Sequence, residues 1–137
     1  MIKKNIKKNI ISYLLLIFLI FFSYSSQRAR EILVYADEIS YDKDENLIGK
    51  GNAKILIENQ IITSDLIIYN KTTNKIIIPK SFKYKDNQNN LFYGTQGSFN
   101  TDFTNGFIED VKILFNDGSR IVGNKFEREG DVDIISK

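Results

Sequence analysis

Two aspartates recur at the same place in a repeated pattern, and they are the residues best placed to do chemistry. Ala36-Asp37-Glu38-Ile39-Ser40-Tyr41 returns 28 residues later as Ser64-Asp65-Leu66-Ile67-Ile68-Tyr69. A carboxylate pair is the equipment of glycoside hydrolysis, with one group as acid and the other as base or nucleophile. Recurrence at equivalent positions favours a different role for Asp37 and Asp65, the capping of neighbouring turns at strand ends. The chain has no His and no Cys, so the usual general base and thiol nucleophile are missing, and its serines have no partner base. Asp42-Lys43-Asp44-Glu45-Asn46 alternates oxygens as a calcium loop does. It lacks the central Gly and distal Glu of an EF-hand, and reads as a polar hairpin turn. No catalytic residue, metal or cofactor is expected.

The elements that must position these residues are strands. Seven runs are rich in Ile, Val, Tyr or Phe: 31–41, 47–57, 60–69, 75–85, 91–99, 107–115 and 119–127. Asn, Asp and Gly clusters bound them, residues that tolerate left-handed backbone angles or bond back to the main chain. A short run, Val132–Ile135, reads as the start of an eighth. No helical periodicity follows residue 26, and the regular spacing argues for an all-β fold. A looser third copy of the repeat, Gly94–Phe99, makes the unit a hairpin stacked at intervals of about 28 to 30 residues. Such stacking encloses one long apolar interior, suited to binding or conveying rather than to catalysis.

Alternation assigns the faces. Ala53, Ile55 and Ile57 point one way, and Val111, Ile113 and Phe115 share a face. The inward set continues with Val34, Ala36, Ile39, Tyr41, Ile62, Ile67, Tyr69, Ile76, Ile78, Phe82, Tyr84, Phe92, Phe99, Ile121 and Phe126. Leu33, Ile48, Leu66, Ile68 and Ile77 fall on the other face, an excess predicting that both faces of some strands are covered. Pro79 interrupts its run and predicts a bulge or a sheet edge there. Gly49, Gly51, Gly94 and Gly97 are placed for bends that curl a sheet into a roll.

The first 25 residues stand apart. Lys3, Lys4, Lys7 and Lys8 precede a nearly unbroken apolar run, Ile10–Phe22, and then small residues at Ser23 and Ser25. That is the layout of a secretory signal peptide cleaved before Ser26, with an uncleaved anchor as the alternative. The domain is therefore expected over residues 26–137. Without the leader, 15 Lys and Arg stand against 17 Asp and Glu, so the excess of positive charge belongs to the targeting segment. A mildly acidic domain with scattered charges offers no footprint for nucleic acid. With no Cys it must hold together by core and sheet alone.

Ala36–Asp42, Gly51-Asn52-Ala53-Lys54-Ile55, Ser64-Asp65 and Tyr69 together resemble the OstA-like repeat of the lipopolysaccharide-transport proteins LptA, LptC and LptD. Asn105–Val111, Asp117–Arg120 and Asn124–Arg128 are most similar to the periplasmic N-terminal domain of the LptD type. The resemblance spans nearly all of residues 32–128 and rests on the order and spacing of short motifs. It implies a β-jellyroll, a V-shaped pair of curled sheets, working in the periplasm in association with the outer membrane. It also implies lipopolysaccharide as the ligand and partner jellyrolls such as LptA joined through edge strands, with LptE added for the LptD type.

Ala53, Ile55, Ile67, Ile78, Phe82 and Ile113 are the expected lining of an acyl path between the sheets. LptD continues into a large membrane barrel, and no such alternating signal fits before Lys137. The chain is therefore read either as the front of an LptD or as a stand-alone protein nearer LptA, with an anchored LptC-like form if the leader is kept. Asn70-Lys71-Thr72 has the form of a glycosylation acceptor, which the bacterial style of leader and family sets aside. A structural β-roll that binds protein edges and no lipid is the remaining alternative.

Overall fold

The computed structural model describes residues 30–137, and every regular element among them is a β-strand. The expected signal segment and residues 26–29 lie outside the described residues. The strands are β1 (Ile32–Tyr35), β2 (Glu38–Tyr41), β3 (Leu47–Ile57), β4 (Gln60–Asn70), β5 (Lys75–Ile78), β6 (Phe82–Lys85), β7 (Leu91–Gly94), β8 (Gln96–Asn100), β9 (Asn105–Leu114), β10 (Arg120–Glu129) and β11 (Val132–Ser136). All their pairings are antiparallel.

The pairings divide one continuous sheet into two layers. In the first, β1 is followed by the second half of β3, the first half of β4, β6, β7 and the ends of β9 and β10 that meet at their hairpin. In the second, β2 is followed by the first half of β3, the second half of β4, β5, β8, the other halves of β9 and β10, and β11. The long strands β3, β4, β9 and β10 pass through both layers. The sheet therefore folds over on itself along a line, as a V does.

That line crosses the chain about every 14 or 15 residues, half the repeat seen in the sequence. It runs through Asp37, Gly51-Asn52, Asp65, Pro79–Ser81, Thr95, Asp110 and Asn124. Gly51, Asn52 and Asp110 have φ of 71°, 45° and 50° there, the left-handed angles that let a strand turn a corner. The register of β3 on β4 slips between Lys50 and Ala53. Polar side chains satisfy the main chain and each other where pairing lapses. Asn52 Nδ2 donates to Asp37 Oδ2 at 2.8 Å, and Thr95 Oγ1 donates to Asp110 Oδ2 at 2.9 Å. The same line explains Pro79: the chain leaves β5 and crosses to the other layer before starting β6, so no ladder hydrogen bond is lost.

Three expected runs are thus each two strands. Residues 31–41, 75–85 and 91–99 break where they cross the line, and the short run at the C-terminal end is a complete strand, β11, paired with β10. The apolar interior lies between the layers, from Ala53 and Ile55 to Ile108 and Phe126. The outer faces are less covered than the surplus of apolar residues predicts. Leu33, Ile48, Leu66 and Ile68 are half-buried and Ile77 is exposed, because both layers spend their covered face on each other.

Candidate functional site

The inner faces carry apolar rows that run across several strands of the sheet. In the first layer Val34, Ile55, Ile62, Tyr84, Phe92, Ile113 and Ile121 stand opposite one another across seven strands. In the second, Tyr41, Leu47, Tyr69, Ile76 and Phe99 form one row. Ile39, Gly49 and Ile67 begin another, which Ile78, Gly97, Ile108 and Phe126 continue. β-Branched side chains suit these positions because they pack on a pleated surface with few rotamers to lose.

Exposure changes along the rows. At the β2 edge Ile39 is 47% exposed and Tyr41 70%, and at the β10 edge of the first layer Ile121 is 39% exposed. Between these ends the interior is filled by aromatic rings. Phe82 meets Phe99 edge-on at 6.4 Å, Tyr84 lies 5.2 Å from both Phe92 and Phe99, and Phe92 is 5.5 Å from Phe126. Tyr84 donates its hydroxyl to Gln60 Oε1, so the one polar group of the cluster is satisfied, as burial requires. Burial drives the Tyr84 hydroxyl well above the ordinary tyrosine range, with Arg128 opposing and Asp86 and Asp133 assisting. A cleft of about 670 Å³ opens beside the β2 edge, lined by Tyr41, Leu47 and Tyr69 with Glu45, Lys71 and Thr72 at its rim.

The six residues named from the sequence all lie in this interior. Ala53, Ile55, Ile67, Ile78, Phe82 and Ile113 belong to one buried cluster and none is more than 5% exposed. Gly94 and Gly97 let the layers pack at this point: a Cβ on Gly94 would come within 2.2 Å of Ile108 Cγ2, and one on Gly97 within 2.8 Å of Phe82 Cζ. Two interior residues escape the alternation. Ile108 is fully buried because β9 changes face across Asp110. Phe103 is buried although it belongs to a polar turn, and a single large apolar residue among turn formers is the signal for it.

The oxygen-bearing residues occupy other places. Asp37 and Asp65 sit on the fold line and are exposed, Asp37 in the bend between β1 and β2 and Asp65 within β4, with Asp37 held by Asn52. Asp42 makes its own turn: Oδ1 accepts from the backbone N–H of Asp44 and of Asn46, and Oδ2 accepts from the Asn46 amide. Those bonds, that of the Asn46 side chain first, hold its carboxyl below the usual range. Among the described residues no cluster of acidic side chains has metal-ligand geometry.

The sequence matches no family model and no curated protein sequence. Solved structures match. One is LptH of Pseudomonas aeruginosa, described as the LptA-homologous periplasmic component of the lipopolysaccharide-transport device; it aligns with a TM-score of 0.63 and 16% identity, over 80% of this chain and 85% of that one. The chain has the LptA-like β-jellyroll fold.

Proposed function

We propose that the chain transports lipopolysaccharide in the periplasm, holding acyl chains between the two layers while the sugar head stays in water. The observation that carries this reading is the set of inner apolar rows that cross the layers and come to the surface at Ile39 and Tyr41 on β2 and at Ile121 on β10, in a jellyroll like that of LptH. Each CH₂ moved from water into such an interior gains about 0.8 kcal/mol. These contacts are non-directional, so an acyl chain can slide along a row without a large barrier. Ala53, Ile55, Ile67, Ile78, Phe82 and Ile113 are the proposed lining. They are now packed on one another, so a lipid tail takes the place of contacts the layers make with themselves. No reaction is part of this function, and the exposed aspartates serve the bends and turns.

Within the family, an LptA-like bridge is the reading favoured by the likeness to LptH. The similarity of Asn105–Val111 and Asn124–Arg128 to the LptD periplasmic domain supports a second, in which the chain is the front of an outer-membrane assembly protein partnered by LptE. The DNA beyond the codon for Lys137 separates the two. For the function itself, a photo-crosslinking amino acid at Ile55 or Phe82 in living cells should capture lipopolysaccharide. Capture at neither site, in cells that export the protein, removes the acyl path. Acyl chains found by mass spectrometry in the purified protein exclude a purely structural roll.

A further inference from the structure

Phe103 stands in the link between β8 and β9 among Thr101, Asp102 and Thr104, yet its ring is 5% exposed. Its φ is +57°, a region that bulky side chains rarely occupy and that persists only where the surroundings impose it. The turn imposes it. Phe103 N–H donates to Asn100 O at 3.0 Å, and Asn105 N–H donates to Asn100 Oδ1 at 2.8 Å. Asp102 Oδ1 accepts from the backbone N–H and the hydroxyl of Thr104 at 3.0 and 2.8 Å. These bonds are internal to the turn, so the arm is built in advance and points its ring at the opposite layer.

The ring lies flat on Tyr84 of the first layer, with centroids 5.1 Å apart and planes 2° from parallel. Phe103 stands in the turn at the free tip of the second layer, away from the fold line, so the stack joins the two layers on their open side. On its solvent side is a cleft of about 320 Å³, lined by Gln60, Asn87, Asp102, Arg128 and Asp131 among others, with space for a side chain that rotates outward.

We propose that Phe103 is a displaceable plug: it covers the packed interior between the layers while no lipid is bound, and an acyl chain entering there turns it out. The inference rests on the acyl-binding reading above and adds how that site is kept shut. A ring replaced by a lipid tail exchanges apolar contact for apolar contact, so displacement is favoured by what the rest of the tail buries. Keeping the interior covered also lowers apparent affinity by the fraction of time it is open.

The chain has no Trp, so Phe103→Trp installs a single reporter. The chain as exported is titrated with tetradecanoic acid below its micelle concentration. Expected are a blue-shifted emission that moves to the red and saturates, and about tenfold tighter binding by Phe103→Gly, which keeps the backbone angle and removes the ring. Binding by the native chain with an unmoved Trp signal and unchanged affinity in Phe103→Gly overturns the plug and leaves the acyl reading intact. Absence of binding by any of the three proteins overturns both. Should Phe103→Gly fail to fold, the Trp emission decides.

Discussion

Asp86 grips Asn90 from two sides: its Oδ1 accepts from the Asn90 backbone N–H at 2.9 Å and its Oδ2 from the Asn90 side-chain amide at 2.8 Å. Asp42 and Asn46 repeat the same turn 44 residues earlier, with positive φ at Glu45 and Asn89 in matching places. In each turn the Asn reaches on to a neighbouring hairpin, Asn46 to Asn70 and Asn90 to Asn116. The two differ in burial. Asp86 and Asn90 are 8% and 7% exposed, whereas Asp42 is in water. Asp86→Ala leaves buried donors unmatched and should lower stability by about 1–3 kcal/mol in urea unfolding. Asp42→Ala, whose donors can turn to water, should cost less. Equal losses would mean that turn geometry, not desolvation, sets the cost.

Gly94 tests how tightly the layers meet. A methyl group there collides with Ile108 Cγ2 and also comes within 3.0 Å of Phe82 Cε1. Its backbone angle is ordinary, so the effect of Gly94→Ala is steric. Overpacking of this kind costs about 1–3 kcal/mol. Ile108→Ala alone opens a cavity and destabilises as well. The double variant should be more stable than the sum of the two losses predicts, since each change relieves the other. Simple additivity at these sites would contradict the packing described.

Much of this fold was legible in the sequence. Ile39 and Tyr41 match Ile67 and Tyr69 because each pair follows a crossing of the fold line by the same number of residues. The interior positions of Ala53, Ile55 and Ile113 follow from alternation within one layer. Alternation fails across the line, where β9 turns at Asp110 and exchanges the faces of its two halves. Ile108 was lost for that reason, and Phe107 lies outward with Lys125 5.7 Å over its ring. The break within residues 75–85 was marked by Pro79, whereas those at Asp37 and Thr95 were hidden because β-type residues continue on both sides of a single polar residue. Phe103 stood out only as a large apolar residue among turn formers, and the ring it packs on belongs to the opposite layer, which no local pattern contains.

β11 lies at the sheet edge, paired with β10 and tied to it by an ion pair as well. Arg128 Nε and Nη2 bind Asp133 Oδ1 and Oδ2 at 2.7 and 2.8 Å, and Val132 and Ile134 are more than half exposed. The fork geometry of guanidinium on carboxylate fixes orientation as well as distance. The pair adds a side-chain link to the β10–β11 ladder, and Arg128 also lies 5.4 Å over the Phe126 ring. Asp133→Asn should leave global stability nearly unchanged and speed amide exchange in Val132–Ser136. Exchange in β3 and β4 should stay as it is. Unaltered protection across β11 would show that backbone pairing alone secures this edge.

The titratable groups predict a stability plateau that falls at both extremes of pH. Hydrogen bonds to Asn46, Thr104 and Ser119 hold the carboxyls of Asp42, Asp102 and Asp117 below the ordinary range. A depressed folded value contributes stability above the ordinary carboxylate value and loses it as pH falls through the folded one. Tyr84 works in the other direction. Desolvation raises its folded value, so its contribution is complete below the ordinary tyrosine value and is lost as pH climbs from there towards the folded one. Tyr69 is raised by burial as well, though it is less deeply placed. Thermal unfolding from neutral into alkaline buffer should therefore show the native protein losing stability once free tyrosine ionises. Tyr84→Phe starts less stable, because Gln60 loses its partner, but should lose less of its remaining stability over that alkaline interval. Parallel alkaline slopes for the two proteins would place the alkaline loss elsewhere, Lys125 with its raised value beside Glu127 being the next group to test.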